Sequence, residues 1–450
     1  MSRQPTGERL ERIAAGRAAR HTTHRGEHAQ LGDSDRDALR IIDDQNQDRL
    51  ADLVPLRWAR MVESPFAFYR GACAVMSHDL ATTPATGVTM QICGDAHLAN
   101  FGLYASPERD LVFDLNDFDE TLPGPWEWDV KRLAASFTII TRDLGVRADE
   151  SRRLAVVATA AYREGTNRYA TMGTLDLWYA HLPVAQMLER DHWPRTFLAT
   201  IRSAAHKARA RDERATATHL TEVVEGRRRI RLVPPLITAI PAMESDPARP
   251  GAIYRSYLDS LLPSRRLLLD QFTVRDAARK VVGVGSVGTR CYIALLDDDI
   301  GEPLVLQAKE ATTSALARYA GLPADPHPGR RVVVGQRLLQ TANDVFLGWA
   351  DDPVDGRHYY WRQLRDMKGA LAANTLDVPG LRAYASLCGE TLARAHARAG
   401  DVGFVSGYLG TTDRFDEAIG DFALAYADRN EADFEQLRLA VRDGRIAVDS

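Results

Sequence analysis

Apolar positions recur along the chain with two different periods, and the change of period divides it. Leu39, Ile42, Leu50, Leu53 and Leu56 return at spacings that suit one buried helix face between Ser34 and Met76. Pro65 breaks that pattern before a second helix through Phe66, Tyr69 and Val75. Residues 88–92 (VTMQI) and 110–114 (DLVFD) read as short buried strands, with a polar loop, Gly94–Tyr104, between them. From Trp128 to about Thr221 the pattern is helical, with breaks near Gly173, Pro183 and Pro194, and another helix is expected over 253–272.

After that the period shortens. Residues 280–296 and 303–309 read as strands flanking a turn at Asp297–Gly301, and 343–349 and 357–364 read as two more. Residues 273–365 are therefore predicted to form a small β-rich unit. A helical lobe over 36–272 would be completed by helices from 366–450, with 400–410 a loop and 415–441 a helix. Residues 1–35 are polar and aperiodic and suggest an extended arm.

Composition adds little to this until cations are counted. With 450 residues, 45% hydrophobic and 26% charged, the chain has the make-up of a globular protein of two or three packed units. No apolar run approaches the roughly 20 residues of a membrane span. The first residues lack an apolar signal core, so a cytoplasmic location without membrane contact is expected. Cys73, Cys93, Cys291 and Cys388 are too scattered for a zinc site or a disulfide framework. The histidines, His78, His181 and His358 among them, lack metal-ligand spacing. Residues 202–231 carry nine Lys/Arg and four acids, which reads as a solvated helix face, so a nucleic-acid partner is not expected. Arg57, Arg60 and Arg70, on the helices that lead to the polar loop, either line an anionic substrate site or, the favoured reading, form surface ion pairs.

Only five of the 57 cationic residues are lysine: Lys131, Lys207, Lys280, Lys309 and Lys368. Where arginine serves almost everywhere, a retained lysine points to a position that needs a compact ammonium.

Three constellations carry chemistry. Asp95 is followed two residues on by His97 and five on by Asn100, in the loop after a strand. One carboxylate can orient an attacking hydroxyl while a neutral amide oxygen helps hold a cation beside it. Asp114, Asp117, Asp119 and Glu120 then place four acids in seven residues, a density that calls for a neutralising cation. Third, Gly283, Gly285, Ser286 and Gly288 lie between strand-like runs, where backbone amides can cover phosphates, and Lys309 follows in an apolar strand.

Gly94–Asn100 together with Asp117-Phe118-Asp119 resembles the catalytic and metal-binding loops of the aminoglycoside and choline phosphotransferase branch of the protein-kinase-like superfamily. Asp129 matches the aspartate those proteins place at the start of the next helix. Gly283–Gly288 and Lys309 resemble the kinase glycine-rich loop and lysine strand. The chain also resembles an uncharacterised bacterial family through 64–71, Gly94–Gly102 and Tyr359–Gly369.

The kinase resemblance implies a two-lobed α+β fold that binds ATP and Mg²⁺. Asp95 and His97 would be catalytic, Asn100, Asp117 and Asp119 metal ligands, and Gly283, Gly285, Ser286, Gly288 and Lys309 nucleotide-binding. The acceptor would be a small hydroxyl compound. The glycine loop and lysine follow the catalytic loop by about 190 residues instead of preceding it, which implies circular permutation. No glutamate lies between Ala311 and Ala350 to pair with Lys309, leaving Asp325 or no partner. Two alternatives stand beside this reading. One is a metal-dependent phosphohydrolase built on Asp95, His97, Asp114 and Asp117, and the other is a nucleotide-binding scaffold without turnover.

Overall fold

The computed structural model describes residues 7–449 apart from 33, 34, 212, 241–245, 247, 282, 284, 286, 324, 365 and 366. It is a mixed α+β molecule in which thirteen described strands fall into four antiparallel groups. The order along the chain is β1 (Thr89–Ile92), β2 (Phe101–Ala105), β3 (Leu111–Leu115), β4 (Leu122–Pro125), β5 (Thr221–Val224), β6 (Arg227–Ile230) and β7 (Ile237–Thr238). It continues through β8 (Thr273–Lys280), β9 (Cys291–Asp297), β10 (Pro303–Ala311), β11 (Gly348–Asp351), β12 (His358–Gln363) and β13 (Gly369–Ala370).

The period-2 region builds a six-stranded sheet in the order β11-β12-β10-β9-β8-β7. Central β10 is buried along its whole length, so its alternation sorts two apolar layers rather than core from solvent. Leu304, Leu306 and Ala308 pack with Tyr257, Leu261 and Leu269 from helices Arg249–Asp259 and Pro263–Leu269. Val305 packs on the other face with Ala217, Leu220 and Ile230. Gln307 and Lys309 alternate onto that second face.

The glycine-containing stretch is not one strand with its flanks. β8 ends at Lys280, the glycines form the connection, and β9 begins at Cys291. Likewise Pro263 divides the helix expected over 253–272, and the strand expected over 343–349 starts only at Gly348.

Helices Trp126–Asp143, Ala148–Tyr169 and Val378–Ala399 pack around the main core with Arg414–Arg442. Trp126 seats the first of these by stacking on Tyr162 at 5.9 Å. The hairpin of β2 and β3 and the pair β1–β4 lie against this bundle, holding the two polar loops between strands.

Two segments differ from expectation for one shared reason. Residues 1–35 contain the helix Glu8–Ala19 instead of an extended arm, and 400–410 contains the helix Val402–Leu409 instead of a loop. These two helices cross at backbone contact: a Cβ at Gly16 would lie 2.0 Å from the Phe404 carbonyl oxygen, and one at Gly407 would lie 2.1 Å from that of Ile13. Glycine lowers intrinsic helix propensity, and here tertiary packing overrides it.

The four cysteines are free and buried. In the basic stretch, Arg214 and Arg228 pair with Glu302 and Asp297 of the sheet unit. No helix among the described residues is long and apolar enough to cross a membrane.

Candidate functional site

The loop after β1 is held from behind by one carboxylate. Asp129, in the first turn of helix Trp126–Asp143, accepts hydrogen bonds from the backbone amides of Cys93 at 2.7 Å and Gly94 at 2.9 Å. His396 Nε2 lies 3.1 Å away on its other side. Gly94 has φ +84°, and a Cβ there would sit 2.4 Å from the Glu120 carbonyl oxygen. Only glycine permits this approach of the first polar loop to the second. The amide of Leu98 donates to Ser136 Oγ at 3.0 Å, and Tyr384 donates its hydroxyl to the Leu98 carbonyl at 2.7 Å.

Asp95 emerges from this loop into a cleft that also contains His97, Asn100 and Asp117. Arg132 brings Nε within 2.8 Å and Nη2 within 2.7 Å of Asp95 Oδ1. Its guanidinium also lies 3.9 Å from the centre of the Tyr69 ring. Burial alone pushes the Asp95 carboxyl up, but the charge and hydrogen bonds of Arg132 outweigh it and hold it below the ordinary range. Asp95 is thus ionised at neutral pH. His97 lies 3.6 Å from it, and burial drives the imidazole down to about 3, so that ring is neutral. Asn100 donates its side-chain amide to the Asp95 carbonyl at 2.8 Å, which leaves its oxygen as the group able to accept a cation.

The second loop is clamped to the helix Pro328–Leu339. Arg331 donates to the carbonyls of Asp119 at 2.8 Å, of Thr312 at 2.9 Å, and of Thr121. Asp117 lines the cleft, where burial and then neighbouring Asp119 push its carboxyl up. Asp114 has a different place: it is fully buried, 2.7 Å from Arg394 Nη2, and accepts from Thr341 Oγ1 at 2.9 Å.

The sheet supplies the opposite wall. Lys309 stands directly across from Tyr360 on β12, and Gln307 across from Arg362, so all four side chains share one face. Lys309 Nζ donates to Asp119 Oδ2, while the Tyr360 hydroxyl donates to Oδ1 of the same carboxylate at 2.7 Å. Burial raises the carboxyl of Asp119, but Lys309 and Tyr360 outweigh it and bring it down to about 2. The same pair holds Lys309 protonated, well above the usual lysine range. The acid that pairs with Lys309 is therefore Asp119, and Asp325 instead accepts the backbone amide of His327 at 2.8 Å. Glu310 points the other way and pairs with Arg290 and Arg357.

Gly283 and Gly285 line the cleft. Gly288, expected beside them, is instead docked on the helical unit. Its carbonyl accepts from the Leu50 amide at 2.8 Å, and at φ +88° an added Cβ would lie 2.9 Å from Arg49 Cβ. Arg49 donates to the carbonyls of Gly285, at 3.0 Å, and of Val287. Gly285, Val287 and Gly288 are thereby tied to Arg49 and Leu50. Ser286 lies outside the described residues.

Several cations at this site were not assigned from sequence. Arg132 and Arg362 were indistinguishable among 52 arginines. Arg362 donates to Gln307 at 3.1 Å. Lys368, beside Arg362, is lowered to about 7 by burial first and that guanidinium next. Arg70 lines the cleft, the less favoured of its two sequence readings, while Arg57 is buried and donates to the Gly71 carbonyl at 3.0 Å. The strand-like HYYWRQ run of β12, whose period-2 geometry puts Tyr360 and Arg362 on one face, was the available signal for these two residues.

A family model described as "Uncharacterized protein conserved in bacteria (DUF2252)" matches residues 49–440. No curated protein and no solved structure matches the chain.

Proposed function

The chain belongs to that bacterial family, and on this premise we propose that it is an ATP- and Mg²⁺-dependent phosphotransferase with a permuted, kinase-like arrangement of two lobes. Its acceptor would be a small hydroxyl compound, and its place of action the cytoplasm. One observation carries the reading. Lys309 of the sheet and Asp119 of the second loop are in contact although 190 positions apart, on the border of a cleft that Asp95, Asn100 and Asp117 face from the other side.

The residues present suit a magnesium–phosphate group. Mg²⁺ is commonly held by one or two carboxylates plus substrate phosphates. Asp117 offers a half-buried carboxylate whose proton affinity is raised by desolvation first and by neighbouring Asp119 next, and Asn100 offers an amide oxygen in the same cleft. Asp119, expected as a further ligand, has both carboxylate oxygens engaged by Lys309 and Tyr360. A bound magnesium ion would supply neutralisation of charge developing on the transferred phosphoryl group.

The chain's own groups then have separate tasks. Lys309 and Arg362 attract phosphate oxygens from the sheet side. Asp95, its orientation fixed by Arg132, accepts a hydrogen bond from the attacking hydroxyl and positions it. Neutral His97 can donate one hydrogen bond without adding net charge. Gly283 and Gly285 allow close backbone approach over the phosphates.

The phosphohydrolase alternative loses one of its four members, because Asp114 is committed to Arg394 away from the cleft. The test is ADP release with a panel of small alcohols and amino alcohols. Wild type is expected to turn over with at least one acceptor, and Asp95→Asn to lose about 100-fold or more while still binding nucleotide. Equal turnover by Asp95→Asn would overturn the assignment.

A further inference from the structure

Three side chains that sequence spacing keeps apart meet at the edge of the six-stranded sheet. Asp351 on edge strand β11 stands directly across from His358 on β12. His327 caps the start of the helix Pro328–Leu339, which packs against the same strands. His358 Nδ1 lies 2.7 Å, and His327 Nε2 2.9 Å, from the same oxygen, Asp351 Oδ1. Among the described residues these are the three His, Cys, Asp or Glu side chains whose ligand atoms all fall within 4.8 Å of one another. His358 has no metal-ligand spacing along the sequence; the β11–β12 pairing and the helix start bring it together with Asp351 and His327, which no linear spacing reveals.

We propose that His327, Asp351 and His358 form a binding site for a divalent first-row transition metal ion, of which zinc is the probe. Two imidazole nitrogens and one carboxylate are a donor set that such ions favour over Mg²⁺, with water completing the shell. The side chains are 20%, 53% and 28% exposed, so an ion reaches them from solvent. Asp325 adds a second negative charge beside His327, and the Trp349 ring stands edge-on at 6.2 Å from that imidazole as an apolar wall.

The present hydrogen bonding defines what binding changes. His327 Nδ1 accepts the backbone amide of Arg330 at 3.1 Å. Coordination through Nε2 moves the ring proton to Nδ1, and the amide of exposed Arg330 passes to water. The ion would link the edge of the sheet to the first turn of the helix that carries Arg331, which holds the carbonyls of Asp119 and Thr312. The metal site itself does not depend on the phosphotransferase reading.

The experiment is calorimetric titration of metal-free full-length protein with Zn²⁺ in excess Mg²⁺, with Co²⁺ absorption as a second readout. One zinc per chain at micromolar concentration is expected, together with visible Co²⁺ bands. His327→Ala and His358→Ala should each weaken binding by about tenfold or more, and His358→Asn serves if the alanine variant fails to fold. His181→Ala and Asp117→Asn should leave zinc affinity unchanged, which separates this site from stray histidines and from the cleft. Absence of stoichiometric binding, or wild-type affinity in both histidine variants, reduces the cluster to a His–Asp–His group that holds no metal ion and overturns the proposal.

Discussion

Lys309 and Asp119 form an ion pair across 190 positions of sequence, joining the central strand of the sheet to the acidic loop beside the helical core. The lysine side chain is 4% exposed and the aspartate 28%, so the pair is largely removed from water but touches the cleft. Such a pair costs desolvation and is retained where its geometry is needed.

Removing one partner strands the other. Lys309→Met should lower unfolding free energy by about 2 kcal/mol, less than a fully buried pair because Asp119 is partly hydrated. Urea denaturation of Lys309→Met, Asp119→Asn and the double variant measures this. The double variant should lose less than the sum of the two single variants.

Asp119 also contributes a pH signature. Its folded pKa of about 2 lies below the ordinary value of 3.8, so its contribution is present above pH 4 and lost as pH falls toward 2. Stability measured between pH 5 and 2 should fall less steeply in Asp119→Asn than in wild type.

Asp117 works in the opposite sense. Its raised pKa means that folding disfavours its charge, so Asp117→Asn should unfold at a higher temperature than wild type in the absence of ligands at pH 7. The same substitution should abolish stabilisation by nucleotide with Mg²⁺. A thermal melt with and without that ligand shows both effects.

Asp129 and Arg132 position the first loop from one helix. Asp129→Ala leaves the amides of Cys93 and Gly94 without acceptors and should cost about 3 kcal/mol. Arg132→Lys keeps the charge but loses the second contact to Asp95 and the guanidinium face over Tyr69. Its turnover should fall by about tenfold or more with nucleotide affinity little changed, as steady-state kinetics beside equilibrium binding would reveal.

Lys368 should give polyphosphate binding a neutral-range pH dependence. With a pKa of about 7 it is cationic at pH 6 and largely neutral at pH 8, so affinity for a polyphosphate should weaken over that interval. Lys368→Met should flatten the profile.

The sequence disclosed those features that depend on local spacing. Asp95, His97, Asn100 and Asp117 fall close together in one or two loops, and Lys309 stands out because arginine replaces lysine almost everywhere else. Features that depend on tertiary pairing were hidden. Asp119 as the lysine's partner, Arg132 behind Asp95, and Arg362 across from Gln307 are brought together by strand register and helix packing, which have no linear signature. The Glu8–Ala19 and Val402–Leu409 helices were missed because each is stabilised by the close approach of the other.

The central claim is that the sheet and the helical unit together hold a nucleotide and its magnesium ion. Calorimetric titration of ATP with Mg²⁺ into wild type, Lys309→Ala and Asp117→Ala tests it most directly. The account predicts saturable one-to-one binding to wild type, weakened about tenfold or more in each variant. Absence of wild-type binding, or equal affinity in all three proteins, would contradict it.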